Sequence, residues 1–309
     1  MKYKLCRIYD HQHKSDAYRQ ALADAGYLFT DRDNVQGTRF IMSDGDWSSR
    51  TYLDAAQSRN IPVFLYPHAA RPMVIYDGCV KPRPVTAMFT QAPGGKALME
   101  KIGYPYPVEV SGWAFCEVRP FTPVTELGRI LFAPIHANGN GYLSGLDKDI
   151  NRRTYERLFA FCKSWGAELS IRYIDSLEKC GLEGVEQADF VEMHKGRKNN
   201  STLDMETADV VVSHQTFAWM SVALGIPTVM MAEDVPPRSG TSDETFCFVD
   251  HWDDYKADLM YPLDILAEDP ETVIGKACAG CSAVEDWKER LIGDPFDGPA
   301  FVAKLESYL

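Results

Sequence analysis

The chain has 309 residues, 45% apolar and 25% charged, a globular composition long enough for two domains of ordinary size. With 32 basic and 44 acidic residues it carries a formal charge of −12, which gives no general drive toward nucleic acid through counterion release. No apolar run is long enough to cross a bilayer, "MKYKLCRIYDHQHK" does not read as a signal peptide, and eight irregularly spaced cysteines read as reduced thiols, so the expectation is a cytoplasmic small-molecule enzyme.

Taken in order, "YKLCRIY" predicts a strand and "SDAYRQALADAG" a helix, with Ser15 as N-cap and Gly26 as its stop. "TRFIMSD" is the next strand and "SSRTYLDAAQSRN" a helix that Ser48 or Ser49 could cap. "IPVFLYP" is apolar throughout, as in a strand buried on both faces. "VTAMFTQ", "GGKALMEKIG" and "YPVEVSGW" continue the alternation. "EVRPFTPVTELG", residues 117–128, carries two prolines and no periodicity, so it reads as an interdomain linker. Beyond it come the strand "RILFAPI", the helix "RTYERLFAFCKSWG" and the strands "AELSIRYI", "ADFVEMH", "DVVVS" and "TVMMA". "SAVEDWKERLIG" and "PAFVAKLESYL" read as two closing helices. Such alternation predicts an α/β protein of two Rossmann-like domains, residues 1–122 and 123–309, with parallel sheets facing a central cleft.

The stretch "ADVVVSHQTFAWMSVALGIPTVMM", residues 208–231, interrupts two apolar runs with Ser213, His214, Gln215 and Thr216. Ligands of open parallel sheets sit outside the carboxyl ends of the strands, and the helix that follows presents free N–H groups there. Phe217, Met220, Ser221 and Leu224 predict one buried stripe, Gly225 a left-handed stop and Pro227 a block to continuation. The alternative is plain N-capping by Ser or Thr.

The same segment resembles the nucleotide-binding signature of GT-B glycosyltransferases, in the pattern of the CDP-glycerol glycerophosphotransferase-like and UDP-N-acetylglucosamine 2-epimerase-like branches. "RILFAPIHANGNG" resembles the strand and Gly-rich loop that open the second domain, and "FVEMHKG" a strand ending in a donor-contacting histidine. "IPVFLYPHA" resembles a strand ending in a His-Gly pair, and "KIGYPYPVEVSGW" the first domain's closing turn and strand. The order of these motifs carries the resemblance. Ala69 stands where Gly follows the histidine, Lys195 where Pro does, and Ser-His-Gln-Thr where Asp-Tyr-Ser-Ser is usual.

The resemblance implies a metal-independent, inverting transferase using a UDP- or CDP-linked donor and an acceptor hydroxyl, with no further cofactor. His68 would be the catalytic base, a role suited to imidazole, although a loop histidine bonded to backbone fits the same position. His136, Asn138 and Gly139 would hold the donor, as would His194 and Lys195, whose cations could neutralise a leaving phosphate. Ser213, His214, Gln215 and Thr216 would grip the diphosphate. Glu233 after "TVMMA" would meet ribose hydroxyls, with Asp234 as its competitor. The acceptor stays open between a glycan or polyol polymer and a hydroxymethylated DNA base, for which the "KGRK" loop, Arg71, Arg83 and Lys96 could form a cationic wall. A 2-epimerase acting on the donor and a non-catalytic nucleotide-binding protein are the other readings. Asp44 and Asp46 make an incomplete hard-cation site, and Cys278 and Cys281 lack two further ligands for zinc. Trp219, Trp252 and Trp287 read as packing.

Overall fold

The computed structural model describes residues 4–9, 16–30, 37–43, 56, 58–66, 85–135, 145–174, 176–196, 201–231 and 260–309. The strands are β1 (Lys4–Tyr9), β2 (Tyr27–Phe29), β3 (Phe40–Ser43), β4 (Val63–Leu65), β5 (Ala87–Thr90), β6 (Val108–Val110), β7 (Arg129–Phe132), β8 (Glu168–Tyr173), β9 (Val191–Lys195), β10 (Val210–Ser213) and β11 (Thr228–Met230). The helices are α1 (Asp16–Asp24), α2 (Pro93–Lys101), α3 (Gly145–Trp165), α4 (Ser201–Met205), α5 (Gln215–Ala223), α6 (Pro270–Ala279), α7 (Ser282–Leu291) and α8 (Gly298–Glu306). They form two compact units. One holds the described residues up to Glu117 with Met260 and Glu289–Leu309, the other the described residues of Val118–Val235 and Tyr261–Lys288.

The first unit is built on a parallel sheet in the order β2-β1-β3-β4-β5-β6. Its core is aromatic. Tyr27, Phe40, Phe64 and Phe89 form a row with centroids 5.2, 5.6 and 6.1 Å apart, tilted or edge-on as ring quadrupoles prefer. Strands β3 and β4 are buried at every position, as an all-apolar run in a parallel sheet should be. Gly26 ends α1 at φ +81°, the conformation expected of it. β2, directly after that glycine, is three residues long, too short to show alternation in the sequence.

The closing helices require a correction. The sequence reading gave everything from 123 onward to the second domain, but Glu289–Leu309 belongs to the first unit. Phe301, Val302 and Leu305 of α8 lie in the same core as Tyr18, Phe40 and Phe64, with Phe301 4.8 Å from Phe89. An amphipathic helix shows which of its faces is apolar, not which sheet will take it.

The second unit carries a parallel sheet in the order β11-β10-β7-β8-β9. The segment read as a linker is bonded along it. Arg119 N–H donates to Ala223 O, Thr122 N–H to Gly225 O and Val124 N–H to Cys278 O, at 2.8, 2.9 and 2.9 Å. α5 differs from its expected stripe, because Phe217 and Met220 are half-exposed while Ala218, Trp219, Val222 and Ala223 are buried with Ser221 and Leu224. The helix is enclosed on more than one side. Ser221 Oγ lies 2.6 Å from Thr228 Oγ1 of β11, and Trp219 meets Trp287 at 4.5 Å, which bears out the packing role of both tryptophans. α6 was not anticipated. It ends at Gly280, φ +77°, where an added Cβ would stand 2.6 Å from the Phe121 ring. Cys278 lies in α6 and Cys281 beyond that glycine, and the described residues hold no cluster of three or more His, Cys, Asp or Glu placed for a metal ion.

Candidate functional site

In the second sheet β8 and β9 extend to one side of β7 while β10 and β11 extend to the other, so the order reverses between β7 and β10. The carboxyl ends of those two strands are where an open α/β sheet accepts a ligand. The chain leaves β7 through Ala133, Pro134 and Ile135 toward residues 136–144, and leaves β10 through Ser213 into α5. The two motifs singled out in the sequence therefore follow neighbouring strands at the reversal. His136, Asn138 and Gly139 themselves lie outside the described residues, as do His68, Glu233, Asp234, Asp44, Asp46, Arg71, Arg83 and Trp252.

Ser213 is buried and donates its hydroxyl proton to Ala133 O at 2.9 Å, so it ties the ends of β10 and β7 together. His214 is the N-cap of α5, extended at φ −127°, ψ 145°, and its side chain makes no capping hydrogen bond. The simple capping alternative is thus not what this helix uses. By contrast Asp269 caps α6 through Thr272 N–H, and Asp297 caps α8 through Ala300 N–H. The first-turn N–H groups of α5, from Gln215 through Phe217, point out of the helix start with the positive end of its dipole. His214 and Thr216 are half-buried, whereas the uncapped start of α2 has Arg290 and Leu291 packed against Gly94.

His194 and Lys195 are not at this corner. They end β9, three strand spacings from β10, or about 14 Å at about 4.8 Å per strand. Strand alternation also sends them to opposite faces of the sheet, with Lys195 exposed. The His194 ring leans back over β8, Nδ1 lying 3.4 Å from Ser170 Oγ. Arg129 Nη2 donates to that same Oγ at 3.0 Å and to Glu192 Oε2 at 2.5 Å. A guanidinium has no acceptor, so Ser170 Oγ receives from Arg129. Lys96, considered for a cationic wall, is held by Glu100 and Glu109 at 3.8 and 4.0 Å.

Two residues that sequence reasoning passed over hold the frame of the site. Asn151 of α3 is fully buried, and its amide accepts from Ile135 N–H at 2.8 Å while donating to Ile135 O at 2.8 Å and Cys180 O at 2.9 Å. It fixes the chain where it leaves β7. In "DINRRTYERLF" it reads as one more polar residue on a solvated face. Arg172 of β8 alternates with Ile171 and Tyr173 like a wet-face residue, yet it is 3% exposed and pairs through Nε with Asp204 Oδ2 at 2.5 Å.

No protein-family model and no curated protein matches the sequence. Solved structures do match along its whole length. MurG of Acinetobacter baumannii superposes with a TM-score of 0.54 at 10% identity, covering 99% of this chain and 100% of that one. The UDP-N-acetylglucosamine 2-epimerase of Rickettsia bellii gives 0.57 at 12%, covering 99% and 96%. The calicheamicin glycosyltransferase CalG4 gives 0.55 at 11%, covering 100% and 99%. The chain has the GT-B fold. In this GT-B chain β9, which holds His194 and Lys195, is an edge of the second sheet among the described residues. No helix among the described residues is long and apolar enough to cross a membrane.

Proposed function

We propose that the chain transfers a glycosyl or polyol-phosphate group from a nucleoside diphosphate-linked donor to an acceptor hydroxyl. The observation that carries this reading is the first turn of α5, left without a side-chain cap by its N-cap residue at the β7/β10 reversal. Backbone N–H groups aimed at one point with a helix dipole behind them suit a diphosphate. One solved neighbour, a Neisseria meningitidis 2-epimerase with a TM-score of 0.54, is bound to UDP-GlcNAc, which makes UDP the first probe. For a glycosyl group the acceptor oxygen attacks the sugar carbon and the bond from that carbon to the diphosphate oxygen breaks, releasing the nucleoside diphosphate; for a polyol phosphate it attacks the distal phosphorus and the bridging P–O bond breaks, releasing the nucleoside monophosphate. The hydroxyl proton passes to His68, and the nucleotide leaves with the bonding pair, its charge held by the α5 turn. His214 and Thr216 flank that turn. In this reading His136, Asn138 and Gly139 also bind the donor, Glu233 takes its ribose, and His194 and Lys195 are donor-binding residues away from the turn. The reading requires no metal, so EDTA should leave turnover unchanged.

Gln215→Pro tests the turn directly. Gln215 is the first helical residue, where proline is tolerated, and His214 already has the extended backbone that precedes proline. The substitution deletes one N–H donor and should weaken UDP binding about ten-fold in calorimetric titration, while Gln215→Ala does not. Equal affinity of the two variants would defeat the proposal.

A second reading follows from the 2-epimerase neighbours, whose fold the chain shares. Incubation with UDP-GlcNAc and no acceptor separates the two, because only an epimerase turns its donor into an isomer.

A further inference from the structure

Arg172 sits near the carboxyl end of β8, paired in register with His194 of β9 and facing the first turn of α5. Three of its contacts hold neighbouring elements. Its Nε donates to Asp204 Oδ2 of α4 at 2.5 Å, and its Cζ lies 5.0 Å from the centre of the Phe217 ring. Its guanidinium also runs so close over Gly196 that a Cβ there would stand 2.5 Å from Cζ and 2.6 Å from Nε. A buried ion pair is a poor source of net stability, because desolvation offsets most of the attraction. It is a good source of fixed geometry, since a planar donor fork against an aromatic face accepts few arrangements.

We propose that Arg172 is a positioning residue for the donor site: it clamps α4 through Asp204, and the first turn of α5 through Phe217, to the ends of β8 and β9. The diphosphate affinity of the α5 turn then depends on Arg172 although the guanidinium does not touch the ligand. This rests on the function proposed above, and it explains why residue 196 has no side chain. Any Cβ at that position displaces the guanidinium.

Gly196→Ala is the decisive variant, because the nearest atoms in its way, Cζ, Nε and Cγ, all belong to the Arg172 side chain and none to backbone. Arg172→Lys keeps the charge and loses the flat fork. Each is measured by UDP titration and by peptide-level hydrogen exchange without ligand. Both variants should unfold cooperatively, exchange faster over residues 201–221 but not over β7 or β8, and bind UDP about ten-fold more weakly, about 1.4 kcal/mol. Unchanged UDP affinity overturns the proposal. So does weaker binding with unchanged exchange, which would make Arg172 a direct ligand contact, and so does faster exchange throughout the unit, which would make it merely structural. If the wild-type chain binds no nucleoside diphosphate, the transferase reading falls by itself. The clamp is then decided by exchange alone: acceleration confined to 201–221 supports it, and its absence overturns it.

Discussion

At the scale of single residues, the second unit spends buried polar groups on holding strand ends in place. Asn151 uses one amide for three bonds, two of them to the N–H and the C=O of Ile135. Asn151→Leu keeps most of the volume and strands an N–H and two carbonyls, each costing roughly 1–3 kcal/mol when buried. Urea unfolding should show a loss of about 4 kcal/mol. Burial pushes the Cys6 and Cys162 thiols up to about 12, so neither offers a thiolate near neutral pH.

At the scale of elements, α5 is set by its end as much as by its start. Gly225 follows it at φ +75°, and an added Cβ would lie 1.9 Å from Pro120 O and 2.8 Å from Pro120 C, which are backbone atoms. The Gly-Ile-Pro signal is therefore doubly determined, by a left-handed turn and by a chain segment laid directly against it. Gly225→Ala meets both obstacles and should destabilise the second unit by more than about 2 kcal/mol in thermal unfolding. The stop at Gly225 was legible from the sequence, because a glycine before Ile-Pro has few other uses. The contact with Pro120 was not, because it joins residues about a hundred positions apart.

Across the whole molecule, the C-terminal helix completes the N-terminal unit. Glu306 Oε1 accepts from Lys4 Nζ at 2.6 Å and from Tyr27 Oη at 2.9 Å, and these bonds hold its carboxyl below the ordinary glutamate value of 4.5. A carboxylate with a lowered folded-state pKa stabilises the fold above its unfolded value, and that contribution fades as pH falls through the folded value. Glu306→Gln should therefore unfold more easily than the wild type at pH 7, with the difference closing in acid below about pH 4.5. A gap that stays constant with pH would mean that the carboxylate charge is not what couples α8 to β1 and β2. The pair is partly exposed, so salt should narrow the gap at pH 7 as well.

The sequence by itself determined the alternation of strands and helices, the parallel sheets they imply, and the polar interruption of residues 213–216 between two buried runs. Each of these follows from local periodicity and from the backbone rules of glycine and proline. Tertiary structure decided the rest: that β7 and β10 are neighbours, that His194 ends an edge strand, that α8 closes the first unit, and that Asn151 and Arg172 are buried. Strand order and helix docking depend on which apolar faces meet across long stretches of chain. A polar residue looks the same in sequence whether water or a distant carbonyl satisfies it.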